Sequence, residues 1–170
     1  MSARLAISLW TILPLAALTS PVVGQRHKTV FLGAGVARPT DAFASEVDPG
    51  WQVSGTLDIP LGAQVTSLRI ELAYARFGSS LAGQAPSMLP LLVTLAAEFP
   101  GRSVRPFFVL GTGMYYFKAR DPDFTDNKFG VNVGAGARWR RLSVEGRYHS
   151  VFDRGDTYWA LMMEIGRAHV

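Results

Sequence analysis

Apolar and polar residues alternate along most of this chain, and the alternation is strictest in residues 51–59. Every second position from Trp51 to Ile59 is apolar or glycine, and the positions between them are polar. Two runs with almost no connection between them repeat the pattern within residues 129–152. Successive side chains of a β-strand point to opposite faces, whereas a helix would distribute these residues with a period of 3.6. The pattern therefore predicts strands with one apolar face and one small or charged face.

Eight segments of the chain carry this period of two. They cover residues 29–37, 51–59, 67–75, 91–99, 104–118, 129–140, 142–149 and 158–166. The fifth segment is apolar or aromatic on both faces, so its orientation is ambiguous. The fourth is rich in leucine and alanine and is also compatible with a short helix. Its period and its flanking prolines favour a strand.

The connections between the segments alternate in length. Long polar connections cover residues 38–50, 78–87 and 119–128, short ones cover residues 60–64, 100–103 and 140–142, and the last, residues 153–156, is intermediate. Long loops at one end and minimal turns at the other are typical of transmembrane barrels, whose short turns face the periplasm. The segments also reach the roughly 10 residues that a tilted strand needs to cross a bilayer. We therefore predict an all-β fold, an eight-stranded antiparallel up-and-down transmembrane β-barrel.

Alternation alone does not show which face is the interior, because a soluble lipocalin-like barrel has the same alternation with its apolar face inside. The charged residues indicate which arrangement applies here. The polar faces carry small residues, few charges and almost no lysine, which suits the narrow interior of eight strands. A mid-strand arginine facing lipid would cost about 2 to 4 kcal/mol. Buried charges must pair, so we expect a salt-bridge network that plugs the lumen. Its predicted members are Asp58, Arg69, Glu71, Glu98, Arg138, Arg140, Glu145, Arg147 and Glu164.

Aromatic residues near the strand ends form a second predicted set. Membrane barrels carry bands of aromatic residues at both membrane–water interfaces. The candidates on the apolar faces are Trp51, Tyr74, Phe99, Trp139, Tyr148 and Trp159. For any single one of them, the ordinary aromatic content of β-strands is an alternative explanation.

A basic residue and an apolar run precede the first strand. Arg4 is followed by a mainly apolar run from Leu5 to Leu18, and then by small residues suited to cleavage. The run is shorter than the roughly 20 residues of a membrane-spanning helix and is typical of a secretory signal peptide. The alternative is a retained anchor. We predict that residues 1–24 are a signal peptide and that residues 25–170 are the exported barrel domain.

Composition excludes several kinds of site. The chain has no cysteine, so it forms no disulfide and no thiolate metal site. Its net charge of +4 is not gathered into a run, which argues against a nucleic-acid partner. Asp121, Asp123 and Asp126 lack the glycine and the terminal glutamate of a calcium loop. We expect no cofactor and no metal.

His149, Ser150 and Asp153 are the residue types of a hydrolase. A nucleophile and its base must lie within about 3 Å of each other, whereas adjacent strand residues face opposite sides. His149 is therefore expected in the lumen and Ser150 towards lipid. We predict that the protein is not an enzyme.

Three segments resemble the small eight-stranded outer-membrane barrels of Gram-negative-type bacteria, the opacity-protein-like and outer-membrane-protein-X-like group. They are RPFFVLGTGMYYFK (residues 105–118), FGVNVGAGARW (129–139) and VEGRYHSVF (144–152). The resemblance implies a monomer in the bacterial outer membrane, in contact with lipid and lipopolysaccharide and inserted by the barrel-assembly machinery. We expect a structural or surface-interaction role through the long loops. The alternative is a barrel that handles lipids or small molecules, either a lipid A modifying enzyme or a soluble periplasmic carrier.

Overall fold

The computed structural model describes residues 27–41, 43–61, 65–79, 85–118, 125–152 and 156–168. The elements are β1 (Thr29–Thr40), α1 (Phe43–Glu46), β2 (Val47–Pro60), β3 (Thr66–Ser79), β4 (Ser87–Glu98), β5 (Val104–Lys118), β6 (Thr125–Trp139), β7 (Leu142–Val151) and β8 (Thr157–Ala168). The predicted signal peptide lies outside the described residues. Within those residues, no helix is long and apolar enough to cross a bilayer.

The eight strands close into one barrel in the order of the sequence. Each strand pairs antiparallel with its neighbours, and β8 returns to pair with β1 from Ala168 opposite Thr29 to Thr157 opposite Thr40. Closure removes the unpaired strand edges that an open sheet would expose. The predicted eight-stranded antiparallel up-and-down barrel is confirmed. The fourth segment is a strand, because β4 pairs with β5 from Ser87 to Glu98.

Several strands extend beyond their apolar alternation. β1 continues to Thr40 and β2 begins at Val47, so the first connection is shorter than predicted and contains α1. β6 begins at Thr125, inside the third predicted loop, and β4 ends just before Phe99. Backbone pairing does not require apolar side chains, so the strands continue past the apolar segment. We call the end of the barrel with Thr40, Lys118 and Val151 the loop end, and the opposite end the turn end.

Large apolar side chains cover the outside of the barrel. Leu32, Leu110 and Leu161 are 69%, 64% and 55% exposed, and similar residues surround them on every strand. Most charged side chains of the strand interiors are buried instead. A soluble barrel has the opposite distribution, and a contiguous exposed apolar surface of this size marks contact with a membrane or a partner. The soluble-carrier alternative does not fit this arrangement.

Glycines inside the barrel make room for aromatic rings. A Cβ on Gly136 would collide with the ring of Phe107, and a Cβ on Gly166 would collide with the ring of Phe31. Phe107 is buried, which resolves the ambiguous orientation of β5. The face of β5 that contains Phe107 and Tyr115 points into the lumen.

Candidate functional site

The barrel interior contains two layers of different chemistry. In the half nearer the turn end lie most of the buried charged side chains, which we call the ionic layer: Asp58, Arg69, Glu71, Glu98, Arg138, Glu145, Arg147 and Glu164. In the half nearer the loop end lies a mainly apolar and aromatic cluster, which we call the aromatic layer: Phe43, Val47, Phe77, Met88, Leu92, Tyr115, Phe117, Val151, Tyr158 and Met162. Alternation places both layers on the inner face, and the position along each strand decides which layer a residue joins.

Two arginines cross-link the ionic layer around Asp58. Arg138 Nη2 lies 3.2 Å and Arg69 Nε lies 3.3 Å from the same oxygen, Asp58 Oδ2. Arg138 Nη1 also binds Glu98 Oε2 at 2.8 Å. Arg69 Nη1 binds Glu145 Oε2 at 3.0 Å. These pairs join five strands across the lumen.

Arg147 extends the network on the other side of Glu145. Its Nη2 lies 2.5 Å from Glu145 Oε1, and its Nη1 lies 2.6 Å from Glu71 Oε2. Glu145 therefore binds Arg69 through one oxygen and Arg147 through the other. Charge-assisted pairs of this kind are shorter and stronger than neutral hydrogen bonds, so the side chains hold one another in place across the interior.

Arginine side chains also pack on aromatic rings. The guanidinium carbon of Arg69 lies 4.6 Å from the ring centroid of Phe107, and that of Arg138 lies 4.5 Å from the centroid of Phe31. The planar guanidinium can stack on a ring while its edge binds carboxylates. The rings that fill the space over glycines thus also support the arginines of the ionic layer.

The predicted lumen residues can now be placed. Eight of the nine are buried inside the barrel, and Arg140 is the exception. Its assignment to the lumen was wrong, because strand alternation ends at Trp139 and Arg140 adopts a positive φ of 54° in the following turn. Its side chain is exposed, and its guanidinium carbon lies 5.4 Å from the ring centroid of Trp139.

Arg105 belongs to the network, and the sequence reasoning missed it. Its Nη1 binds Glu98 Oε1 at 2.8 Å from a side chain that is 37% exposed at the turn end. Arg105 lies two residues before Phe107, so both side chains are on the inner face of β5. The sequence did not reveal this face, because both faces of β5 are apolar or aromatic.

Glu164 differs from the other buried carboxylates. It accepts a hydrogen bond from Ser143 Oγ at 3.0 Å, and among the described residues no cation lies within ion-pair distance of it. Glu164→Gln retains an acceptor for Ser143 and removes a buried charge, so we expect an unchanged or slightly higher free energy of unfolding, by up to about 1 kcal/mol. Urea unfolding in detergent measures this free energy. Glu71→Gln, which should lose an ion pair, is the destabilised variant for comparison. A loss as large as that of Glu71→Gln would contradict this description of Glu164.

The aromatic layer includes a residue from the first loop. Phe43 of α1 points into the barrel end, and its ring centroid lies 5.2 Å from that of Phe77, edge to face. Phe77 in turn lies 5.7 Å from Tyr158. A hydrogen bond of 2.7 Å from Thr157 Oγ1 to Asp41 Oδ2 ties the same loop to the start of β8. The loop therefore contributes apolar side chains to the interior.

His149 lies between the two layers and is fully buried. Its ring stacks on Tyr158 with a centroid distance of 4.3 Å, and its Nδ1 lies 3.0 Å from Tyr115 Oη. Ser150 is on the opposite, outward face of β7. The described residues therefore contain no paired serine and histidine at this position, as strand alternation predicts.

The predicted aromatic residues all lie on the outer face. The ring centroids of Trp51 and Tyr74 are 5.6 Å apart, and those of Tyr148 and Trp159 are 5.1 Å apart. Both pairs lie towards the loop end. The other two lie at the turn end, where Trp139 ends β6 and Phe99 follows β4. Aromatic residues thus flank the apolar surface on two sides, which is the arrangement expected of membrane interfaces.

In the part of the chain that the structure describes, no group of three or more His, Asp or Glu side chains is arranged to hold a metal ion. The predicted acidic loop residues Asp121 and Asp123 lie outside that part.

No protein-family model matches the chain, and no curated protein sequence matches it. Solved structures do match. Neisserial surface protein A (NspA) has a TM-score of 0.67 at 13% identity, over 84% of this chain and 97% of that one. The outer membrane enzyme PagL has a TM-score of 0.55 at 17% identity, over 81% and 98%. The N-terminal β-barrel domain of Pseudomonas aeruginosa OprF has a TM-score of 0.53 at 14% identity, over 84% and 100%.

These similarities establish the fold as that of the small eight-stranded outer-membrane barrels, which confirms the resemblance seen in the sequence. The matched set includes an enzyme as well as a surface protein. The same fold thus carries different activities, and function has to be argued from the residues of this chain.

Proposed function

We propose that this protein is a bacterial outer-membrane barrel that does not conduct, is not an enzyme, and acts as a rigid platform for its long external loops. The observation that carries the proposal is the inverted distribution of side chains, with apolar residues outside and paired charges inside. Lipid contact accounts for the outside. The two interior layers leave the loops as the polar surface available to a partner.

Two interior features support a closed lumen. The ionic layer links strands on opposite sides of the barrel through Arg69, Arg138 and Arg147. The aromatic layer closes the loop end with Phe43 and Phe77. An eight-stranded barrel is only wide enough for side chains, so two filled layers support a lumen without a continuous water path.

A conductance measurement tests the closed lumen. The protein, purified from membranes and inserted into a planar bilayer, is expected to give no large steady current under conditions in which a water-filled porin conducts. Phe43→Ala should also remain closed, because the ionic layer lies below it. A large steady current from the wild type would refute the closed lumen.

The absence of native cysteine makes the orientation directly measurable. Ala44→Cys places a thiol in α1 at the loop end, and Ser103→Cys places one at the turn end, both at exposed positions. A membrane-impermeant maleimide added to intact cells should label only Ala44→Cys, and permeabilised cells should show both labels. Labelling of Ser103→Cys alone in intact cells would reverse the orientation, and extraction of the protein by carbonate without detergent would exclude membrane insertion.

The proposal that the protein is not an enzyme rests on the placement of its candidate groups. His149 is enclosed by Tyr115 and Tyr158 in the lumen, away from outward-facing Ser150. A lipid-modifying site needs its nucleophile and base together on the face that meets the lipid. Expression in a heterologous outer membrane should therefore leave the lipid A mass spectrum unchanged.

A further inference from the structure

Exposed cations gather on the outer face at the turn end. We call the set Lys28, Arg140, Arg141 and Arg167 the rim cluster; all four are exposed. Arg167 pairs with Val30 on the neighbouring strand, so it lies beside the position that follows Lys28 on the same face. The carbonyl of Arg141 accepts a hydrogen bond of 2.7 Å from the backbone of Gly166, next to Arg167. Three adjacent parts of the barrel wall thus bring these side chains together.

The rim cluster has no exposed carboxylate near it within the described residues. Asp58, Glu98 and Glu164, which lie at the same end, are all buried in the lumen. The loop end is different, because its exposed cations are accompanied by Asp41, Asp48 and Asp126. The rim cluster is therefore an uncompensated positive surface, which attracts anions.

An apolar groove lies on the same wall, above Lys28. It has a volume of about 450 Å³, and Leu32, Val53, Gly55, Leu72, Tyr74 and Leu89 contribute to its lining. Gly55 opens the groove, because a Cβ added there would meet only Leu32 Cδ2 at 3.9 Å. The groove is shallow and open to the outside, as a site for an acyl chain in contact with the surrounding lipid would be.

Lys28 of the rim cluster and Leu32 of the groove lie on the same outer face of β1, together with Val30. Four residues of strand cover about 13 Å, which is about 10 Å along the membrane normal at a strand tilt of about 40°. Half of a bilayer's hydrocarbon core is about 15 Å thick. A phosphate held by the cations would therefore place its acyl chain at the depth of the groove. Arg140 folds over Trp139, which keeps its guanidinium at the level of the membrane interface.

We propose that this wall is a binding site for one anionic phospholipid of the leaflet at the turn end, with its phosphate in the rim cluster and an acyl chain in the groove at Gly55. Arginine suits this role because its planar donors match phosphate oxygens in pairs. The proposal rests on the membrane placement of the barrel. It goes further by assigning a lipid class and a position.

Native mass spectrometry of the full-length gene product, purified from membranes and delipidated in detergent, tests the site. The probes are phosphatidylglycerol and phosphatidylethanolamine with identical acyl chains. The wild type should bind phosphatidylglycerol more tightly than phosphatidylethanolamine. Each cation removed should weaken that binding about five-fold, so Arg141→Gln with Arg167→Gln should weaken it by about thirty-fold and abolish the preference.

Arg38→Gln with Lys118→Gln is the matched control, because it removes two exposed, outward-facing charges at the loop end. It should leave phosphatidylglycerol binding unchanged. Gly55→Leu, whose Cβ would meet only Leu32 Cδ2 at 3.9 Å, places an apolar side chain in the groove and should weaken binding of both lipids while preserving the preference for phosphatidylglycerol. If the double variant does not fold, Lys28→Gln alone should show the five-fold loss.

Equal binding of the two lipids by the wild type would overturn the proposal, as would an equal loss in the rim and loop-end variants. No effect of Gly55→Leu would overturn the groove as the acyl site. Heat-dependent gel mobility and detergent-dependent extraction of each variant report the membrane barrel separately. A protein that passes both and shows no lipid preference refutes the lipid site alone.

Discussion

Replacement of Arg147 by methionine is expected to lower the free energy of unfolding by about 3 to 5 kcal/mol. Arg147 is buried and binds Glu71 and Glu145 at 2.6 and 2.5 Å. Methionine has a comparable length but no charge. The substitution would therefore leave Glu71 without its ion pair and Glu145 with Arg69 alone. The change is measured as the urea midpoint of unfolding in detergent or lipid vesicles. The mobility of unheated samples on a gel reports the folded fraction at each urea concentration.

Two variants separate the buried network from a general loss of charge. Arg102→Met removes an exposed arginine from the β4–β5 turn, outside the rim cluster, and it should change stability by no more than about 0.5 kcal/mol. Glu71→Met combined with Arg147→Met removes both members of a pair, so it should be less destabilising than the sum of the single variants. An unchanged midpoint for Arg147→Met would show that the ionic layer does not stabilise the barrel.

Introduction of arginine at Leu110 is expected to destabilise the protein in a lipid bilayer by about 2 to 4 kcal/mol. Leu110 is in the middle of β5, points outward and is 64% exposed. In a water-soluble barrel an exposed arginine would cost almost nothing, whereas hydrocarbon does not solvate the charge. The comparison is made by equilibrium unfolding from lipid vesicles, with Leu110→Ala as the control for lost side-chain volume.

Position matters as much as charge in this experiment. Leu61 is also exposed, but it follows β2 at the turn end, where an arginine near the interface should cost about 0 to 1 kcal/mol. Equal stability of Leu110→Arg and Leu61→Arg would contradict the placement of the apolar outer face in hydrocarbon. It would also remove the main support for the proposed function.

The fold was predictable because its signal is local. A period of two is visible within each strand, and alternate long and short connections give the antiparallel order without any knowledge of contacts. The same parity placed Asp58, Arg69 and Glu71 on the inner face, where the structure has them. It failed at Arg140, which lies one residue beyond the end of β6, because a turn residue does not obey strand parity.

The candidate site was predictable as a set of residues but not as an arrangement. Arg69 meets Glu145 over a separation of 76 residues, and Arg138 meets Asp58 over 80. No local pattern specifies which cation reaches which carboxylate across a lumen. The division into an ionic and an aromatic layer follows from the position of each residue along its strand, but the contacts within each layer depend on the closed barrel.

By itself, the sequence determined the number of strands, their order and, outside β5 and the turns, the face that each side chain takes, because these follow from alternation along a single strand. Only the tertiary structure decided the partners. The register of eight strands brings Arg105 to Glu98, stacks His149 on Tyr158, and inserts Phe43 from the first loop. It also places Arg167 opposite Val30, two residues after Lys28, across the closing seam of β1 and β8. The Phe43–Phe77 contact and the pairing of Val30 with Arg167 join residues far apart in the chain. The Arg105–Glu98 and His149–Tyr158 contacts join adjacent strands of a hairpin, where the strand register sets the partner.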